Sequence, residues 1–285
     1  MSDADQQLQF LSWSCRGAGA AEGLAVTGLR RTVGLDVVAA AGNRSATVED
    51  AGPITVLGPA DVQPRAEDFG IVRRSPRPGD HPIEPNLLAC IEFSHPDVPW
   101  MFSLHPDRDE NDEKLDPWLM LVVLPMPAGS ADQRLVTRRD TPYRVLIVDG
   151  GNALPNPSDA WAFAHVQVVA PNLDDAKAAI RDLPESVSVR SRIICPTRLK
   201  PMTRYFAALV PTYESARRLG AGTPTGRTPL TDIVAVDAGS RMWDPAEPTE
   251  LPVYDGWYFQ TGPTGDFEEL ARRLRPLTGR QMEDI

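Results

Sequence analysis

Residues 118–124 read WLMLVVL, an apolar run of strand length without a single polar side chain. A strand with one face in water alternates apolar and polar residues, whereas a strand covered on both faces does not. The run therefore predicts a central, fully buried strand. LLACIEF (87–93) and RVLIVD (144–149) have the same character, and we expect these strands to form the main sheet of the protein.

The proline and glycine content limits the fold class. The chain of 285 residues contains 28 prolines and 21 glycines, and 42% of its residues are hydrophobic. Proline removes a backbone donor and interrupts helices, which argues against a helical bundle. We expect a β-dominated α+β fold with mixed or antiparallel sheets, a few short helices and long proline-rich loops.

Strand and helix signals continue along the chain. Strands are predicted in 160–170, in the first part of 205–222 and in 251–262. NLDDAKAAIRDLP (172–184) predicts a helix, with Asn172 as its cap. GDFEELARRLRP (265–276) predicts a second one.

The sequence divides into three regions. Residues 1–57 form an N-terminal β-rich region with strands expected in LAVTGL (24–29), VGLDVVAA (33–40) and ITVL (54–57). Residues 58–86 carry prolines and mixed charges without periodicity, and they are predicted to be a linker or long loop. Residues 87–285 form the main α+β domain.

Charge and cysteine content restrict the function classes. The 39 acidic and 29 basic residues give a net charge of -10 and disfavour nucleic acid as a partner. The N-terminus lacks the basic start of a signal peptide, and no apolar run is long enough to span a bilayer, so we expect a cytoplasmic protein. The widely spaced Cys15, Cys90 and Cys195 are typical of buried free thiols.

The tripeptide His-Pro-Asp occurs twice, at 95–97 and 105–107. Imidazole and carboxylate are ligands for zinc or iron, so a metal-dependent hydrolase using the region of His95 and His105 is one hypothesis. The spacing is not diagnostic of a metal site. The favoured interpretation is a pair of turns that flank a strand, WMFSL (100–104).

The acidic segment 107–116 raises the question of a calcium loop. Asp107, Asp109 and Asn111 stand at alternate positions, as calcium ligands do. Asp112 and Trp118, however, occupy the positions where that loop needs a glycine and a bidentate glutamate. A solvent-exposed loop is the favoured interpretation, and cation binding stays an open alternative.

The sequence bears on two further kinds of site. No nucleophile elbow or phosphate-binding glycine loop is present in the sequence. The segment VYDGWYFQ (253–260) offers Tyr254, Trp257 and Tyr258 as a platform for a carbohydrate or a peptide. Packing of these residues in the core is favoured, because aromatic residues are ordinary strand formers.

Several sequence blocks, taken in order, resemble a family of bacterial proteins associated with gene clusters for contractile injection systems, which are phage-tail-like particles. The resemblance extends from about residue 55 onward, and its most specific parts are the Pro-Trp and Gly-Asp-Phe-Glu blocks. The blocks are VLGPADV (56–62), EPNLLACIEFSHPDVPWMFSL (84–104), LDPWLMLVVL (115–124), AWAFAHVQV (160–168), SRIICPTRLKPMTRYFAALVPTYESARRLGAG (191–222) and LPVYDGWYFQTGPTGDFEELARRLRP (251–276).

This resemblance implies a non-enzymatic structural subunit in or near the baseplate of such a particle, assembled in the cytoplasm. Its partners would be other subunits of the particle: baseplate, tube or sheath proteins. No catalytic residue, cofactor or metal is expected. Aromatic and arginine side chains suit burial at protein interfaces, and the predicted interaction residues are Trp100, Trp118, Trp257, Tyr258, Arg272 and Arg273.

Overall fold

A computed structural model gives the architecture of the chain. It describes residues 7–14, 30–31, 37–41, 44–48, 54–55, 70–103, 115–126, 135–137, 144–148, 154–182, 188–221 and 249–263. Antiparallel sheets dominate these residues and the helices are few and short, which confirms the β-dominated α+β prediction.

The strands, in chain order, are β1 (Gln7–Leu11), β2 (Arg30–Arg31), β3 (Val37–Ala41), β4 (Arg44–Val48), β5 (Ile54–Thr55), β6 (Ile71–Ser75), β7 (Cys90–Phe93), β8 (Leu119–Met126), β9 (Leu135–Thr137), β10 (Arg144–Val148), β11 (Ala164–Ala170), β12 (Val189–Ile194), β13 (Arg204–Pro211), β14 (Thr249–Val253) and β15 (Asp255–Gln260). Among the described residues the α-helices are α1 (Leu173–Asp182) and α2 (Glu214–Ala221). The same residues include 3-10 helices at Val98–Trp100 and Pro157–Phe163.

The largest sheet among the described residues has five strands in the order β1-β11-β12-β7-β6, all antiparallel. Burial alternates along its strands β11 and β12. In β11, Val166 and Val168 are buried while His165 and Gln167 are only partly covered. One face of the sheet therefore packs into the core and the other faces outward.

The central sheet has the order β15-β13-β8 and is covered on both faces. Leu119, Leu121 and Val123 of β8 lie in a first core with the large sheet. The residues between them, including Met120 and Val122, lie in a second core. This double burial confirms the central strand predicted from the uninterrupted apolar run.

The second core is completed by a third sheet, β14-β10-β9. Leu146 and Val148 of β10 and Leu251 and Val253 of β14 pack there against the central sheet. The chain passes from β14 into β15 at Tyr254, so consecutive residues belong to two different sheets. The three sheets thus share two cores, one on each side of the central sheet.

Helix α1 begins where the sequence predicts. Asn172 accepts a hydrogen bond of 2.9 Å from the Asp175 backbone N–H, which confirms it as the cap. Ala176, Ala179 and Ile180 bury one side of the helix in the first core. Neither helix in the described part of the chain has both the length and the apolar character that crossing a lipid bilayer requires.

The region boundaries predicted from composition need correction. Residues 71–75 lie inside the predicted 58–86 loop, but they form β6 at an edge of the large sheet. Strand β1 belongs to the predicted 1–57 region and yet pairs with β11, from the predicted main domain. Sheet pairing therefore joins segments that the sequence assigned to all three regions.

The three apolar runs that were expected to form one main sheet lie in three different sheets, as β7, β8 and β10, so that prediction is wrong. Two further strand predictions also change. Trp100 ends a 3-10 helix and is followed by a turn, so the strand expected at 100–104 is wrong for its first residues. Of the strands expected near the N-terminus, 33–40 and 54–57 overlap β3 and β5. Strand β4 was not predicted, and the segment 24–29 lies outside the described residues.

Candidate interaction surface

The side of the five-stranded sheet that points away from the first core is the candidate site, and we call it the outer face. Antiparallel partners lie on the same side of a sheet, so the register defines its members. They are Leu8 and Phe10 of β1, His165, Gln167 and Val169 of β11, Arg190, Arg192 and Ile194 of β12, Cys90 and Glu92 of β7, and Arg73 and Ser75 of β6.

The β1 end of the outer face is apolar. Leu8, Phe10 and Val169 are 52%, 56% and 37% exposed. Leu8 lies directly opposite Val169, and Phe10 lies opposite Gln167. Single exposed apolar residues are common on proteins, but neighbouring ones on an edge and its adjacent strand form a patch that can bury area against a partner.

The middle of the outer face carries charge. Arg192 forms an ion pair with Glu92, and the Arg73 guanidinium lies 3.8 Å from the same carboxylate. The Arg192 Nε atom is buried and has no hydrogen-bond partner among the described residues. The Glu92 carboxylate therefore lies within ion-pair distance of two arginines on this face.

His165 connects the apolar and charged parts. Its ring meets Phe10 edge-on with 5.5 Å between centroids, and its Nε2 lies 2.8 Å from the Gln167 amide nitrogen. Burial, followed by the positive charge of Arg192, lowers the pKa of His165 below its ordinary value of 6.5, although Glu92 opposes the shift. At neutral pH the imidazole is therefore uncharged.

Arg190 differs from Arg73 and Arg192, which both lie close to the Glu92 carboxylate. Its guanidinium donates a hydrogen bond of 2.7 Å to the Val189 carbonyl. Within the described ranges, no carboxylate lies at ion-pair distance from Arg190. It pairs across the strands with Gln167, which itself pairs with Phe10. A half-covered cation thus stands next to the apolar patch.

The tryptophans predicted to contact a partner are core residues, which corrects that expectation. Trp100 and Trp118 are 0% exposed and Trp257 is 3% exposed. The Trp100 indole donates to the Leu115 carbonyl at 3.0 Å, and the Trp118 indole donates to the Val98 carbonyl at 2.7 Å. These bonds hold the 3-10 helix against the chain that enters β8.

Tyr258 is the predicted aromatic residue that remains partly accessible. Its ring lies 4.7 Å from that of Phe206, and the Arg204 guanidinium stands 5.1 Å from its centroid. Tyr254 and Trp257 are buried, so the three do not form an exposed platform for a carbohydrate. Core packing, the favoured interpretation of this segment, is confirmed for Trp257 and Phe259.

The first His-Pro-Asp forms bends and turns, as predicted. His95 is exposed, and its carbonyl accepts a hydrogen bond of 2.6 Å from the Ser191 hydroxyl. The Asp97 carboxylate accepts one from the Ser14 hydroxyl. The described residues contain no group of three or more His, Cys, Asp or Glu side chains that could hold a metal ion.

Several predicted residues lie beyond the described ranges. His105 and the acidic positions 107–114 lie outside the described residues, as do Arg272, Arg273 and the predicted helix at 265–276. The metal and calcium hypotheses for this segment therefore stay predictions. Asp116, at the end of the acidic segment, is buried, and its carbonyl accepts a hydrogen bond of 2.6 Å from the Ser103 hydroxyl.

The described cysteines have the character expected of unreactive thiols. Cys195 is buried and Cys90 is half-buried, and neither forms a disulfide. Burial is the largest influence on both, and it raises the pKa of each thiol above its ordinary value of 9.0. The thiolate form is thus disfavoured. Cys15 lies outside the described residues.

The sequence prediction missed the outer face. Its signals are short alternations: Leu8 and Phe10 on either side of Gln9, and Arg190 and Arg192 between buried residues. Each alternation predicts a half-exposed strand, but the surface exists only once β1, β11 and β12 are paired.

Comparison with protein-family models, with curated proteins and with solved structures gave no match.

Proposed function

We propose that the protein is a non-enzymatic structural subunit of a phage-tail-like contractile injection system, located in or near its baseplate. The observation that carries this proposal is the outer face of the five-stranded sheet. It combines exposed apolar side chains with arginines, the residue types that anchor protein interfaces. Its partners would be baseplate, tube or sheath proteins of the same particle.

The polar groups of the core support a structural role. The Thr212 hydroxyl donates to the Pro117 carbonyl at 2.6 Å, and the Thr261 hydroxyl donates to the Lys200 carbonyl at 2.6 Å. Ser191 and the indoles of Trp100 and Trp118 also donate to backbone carbonyls. These side chains fix irregular segments to neighbouring strands, which suits a rigid assembly component.

The sequence resemblance supplies the type of particle. Its blocks coincide with β7, β8, β11, β12, β13, β14 and β15, the strands that supply most of both cores. Shared core strands in the same order would give relatives the same scaffold, on which the exposed residues set the contacts.

The test is co-purification from the native host. An affinity-tagged chain would be expressed from its own locus, and the eluate would be examined by mass spectrometry and negative-stain microscopy. We expect sheath, tube and baseplate proteins together with tail-like particles, and none of these from an untagged strain. A tagged chain that elutes without particle proteins would contradict the proposal.

A further inference from the structure

The outer face has a local charge opposite to that of the whole chain. Arg73, Arg190 and Arg192 stand there with Glu92 as the one carboxylate among the residues of this face, a formal charge of +2, and the neutral His165 adds nothing. The complete chain carries -10. A basic patch on an acidic protein attracts negatively charged partners and repels basic ones.

Charge and apolar contact lie side by side on this face. Phe10, Gln167 and Arg190 form one row across three adjacent strands. Neighbouring strands are about 4.8 Å apart, so the Phe10 and Arg190 backbones are about 10 Å apart. A segment that crosses the strands can therefore place an apolar side chain on Phe10 and a carboxylate on Arg190 within a few residues.

The size of the face sets the size of its partner. Five strands of about 5 residues cover roughly 20 Å by 20 Å, or about 400 Å². A standard protein interface buries about 800 Å² on each partner. The face thus suits a short segment of a partner rather than a whole globular surface. A second copy stacked face to face would oppose arginine to arginine.

We infer that the outer face binds an acidic segment of a partner protein that carries apolar side chains, with Leu8, Phe10 and Val169 as the apolar contact and Arg190 as the carboxylate contact. This inference rests on the proposed function for the identity of the partner, a neighbouring subunit. The chemistry of recognition follows from the face alone, and it can be tested on the purified chain.

The probe is a random copolymer of glutamate and tyrosine, which offers both carboxylates and apolar rings. Its binding to the full-length protein would be measured by fluorescence anisotropy, next to polyglutamate and single-stranded DNA as comparison anions. We expect the copolymer to bind more tightly than polyglutamate, and both to bind more tightly than DNA.

Two variants locate the binding on the outer face. Arg190→Glu should weaken copolymer binding at least about tenfold. The substitution removes one contact between arginine and a carboxylate, and the new carboxylate repels those of the copolymer. Phe10→Ser should weaken it about fivefold and leave the weaker polyglutamate binding unchanged. Lys177→Glu is the matched control. It makes the same charge change on α1, which packs on the opposite side of the sheet, and should bind as the wild type.

Three results would overturn the inference: no copolymer binding by the wild type, equal losses for Arg190→Glu and Lys177→Glu, or DNA binding as tight as copolymer binding. Circular dichroism of each variant establishes that it is folded before binding is compared. The proposed function can fail independently, because copolymer binding does not depend on a particle while co-purification does.

Discussion

Arg74 of β6 and Asp255 of β15 are joined by two hydrogen bonds of 2.8 Å, although 181 positions separate them in the sequence. The pair is bidentate, the strongest geometry between arginine and a carboxylate. It links the edge of the five-stranded sheet to the central sheet. The hydrogen bonds that Arg74 donates to Asp255 are the largest influence on Arg74 and raise its pKa above its ordinary value.

Replacing Arg74 should destabilise the protein. Arg74→Met leaves the Asp255 carboxylate, whose side chain is 13% exposed, without its two donors. We expect the free energy of unfolding in urea to fall by about 1–3 kcal/mol. Arg73→Met is the control, because the Arg73 side chain is 61% exposed. This substitution should lower the free energy of unfolding by less than about 0.5 kcal/mol. Equal losses for the two variants would show that the bidentate pair adds no stability.

Removing one buried hydroxyl should also lower stability. Thr212→Val keeps the shape of the side chain but removes the donor to the Pro117 carbonyl, immediately before the buried Trp118. We expect a loss of about 1–3 kcal/mol in the same urea measurement. Thr203→Val removes an exposed hydrogen bond to the Pro201 carbonyl and should change stability by less than about 0.5 kcal/mol. An unchanged free energy of unfolding in Thr212→Val would show that this hydrogen bond does not stabilise the protein.

Acid should weaken helix α2 through Glu214. Burial by itself would raise the pKa of this carboxyl, but hydrogen bonds from Arg217 and Arg218 outweigh it and lower the pKa below the ordinary 4.5. A lowered folded-state pKa contributes stability that is present above the unfolded value and is lost as the pH falls through the folded value.

The Glu214→Gln variant tests this pH dependence. It should be less stable than the wild type at neutral pH, and its free energy of unfolding should fall less steeply below about pH 4.5. The exposed Glu84 supplies the control, since Glu84→Gln makes the same chemical change and should keep the wild-type profile. Parallel profiles for wild type and Glu214→Gln would refute the prediction.

Cys195 should react only when the protein unfolds. It is 0% exposed, and burial raises its pKa, so the folded chain offers neither access nor thiolate. In a Cys15→Ser, Cys90→Ser background, labelling with a chromogenic disulfide at about pH 8 should be much slower than in urea, where the thiol approaches ordinary reactivity. Native-state labelling at the unfolded rate would place Cys195 on the surface instead.

The sequence predicts the middle of this fold better than its edges. β8 is apolar throughout, and β13 is apolar from Phe206 onward, because both faces of the central sheet are buried, so the local pattern carries the structural information. Strand β6 was predicted as a loop. Its arginines pair with Glu92 and Asp255, which are remote in sequence, and no local pattern reports such partners.

The strand predicted at 100–104 is wrong at Trp100, which ends the 3-10 helix Val98–Trp100, for a similar reason. Its aromatic and apolar residues are typical of strands, but tertiary hydrogen bonds decide its conformation. The Trp118 backbone N–H donates to the Pro99 carbonyl at 2.8 Å, and the Trp100 indole donates to the Leu115 carbonyl at 3.0 Å. The outer face escaped prediction because it combines residues from Leu8 to Arg192, and only strand pairing unites them.

The composition of purified particles gives the most direct test of a structural role for this chain. Tail-like particles would be isolated from the native host by successive density gradients, and this chain would be quantified by mass spectrometry against baseplate and tube proteins. We expect a ratio to the baseplate proteins that stays constant through each gradient. A ratio that falls with each step, or particles that lack the chain, would contradict a structural role in the particle.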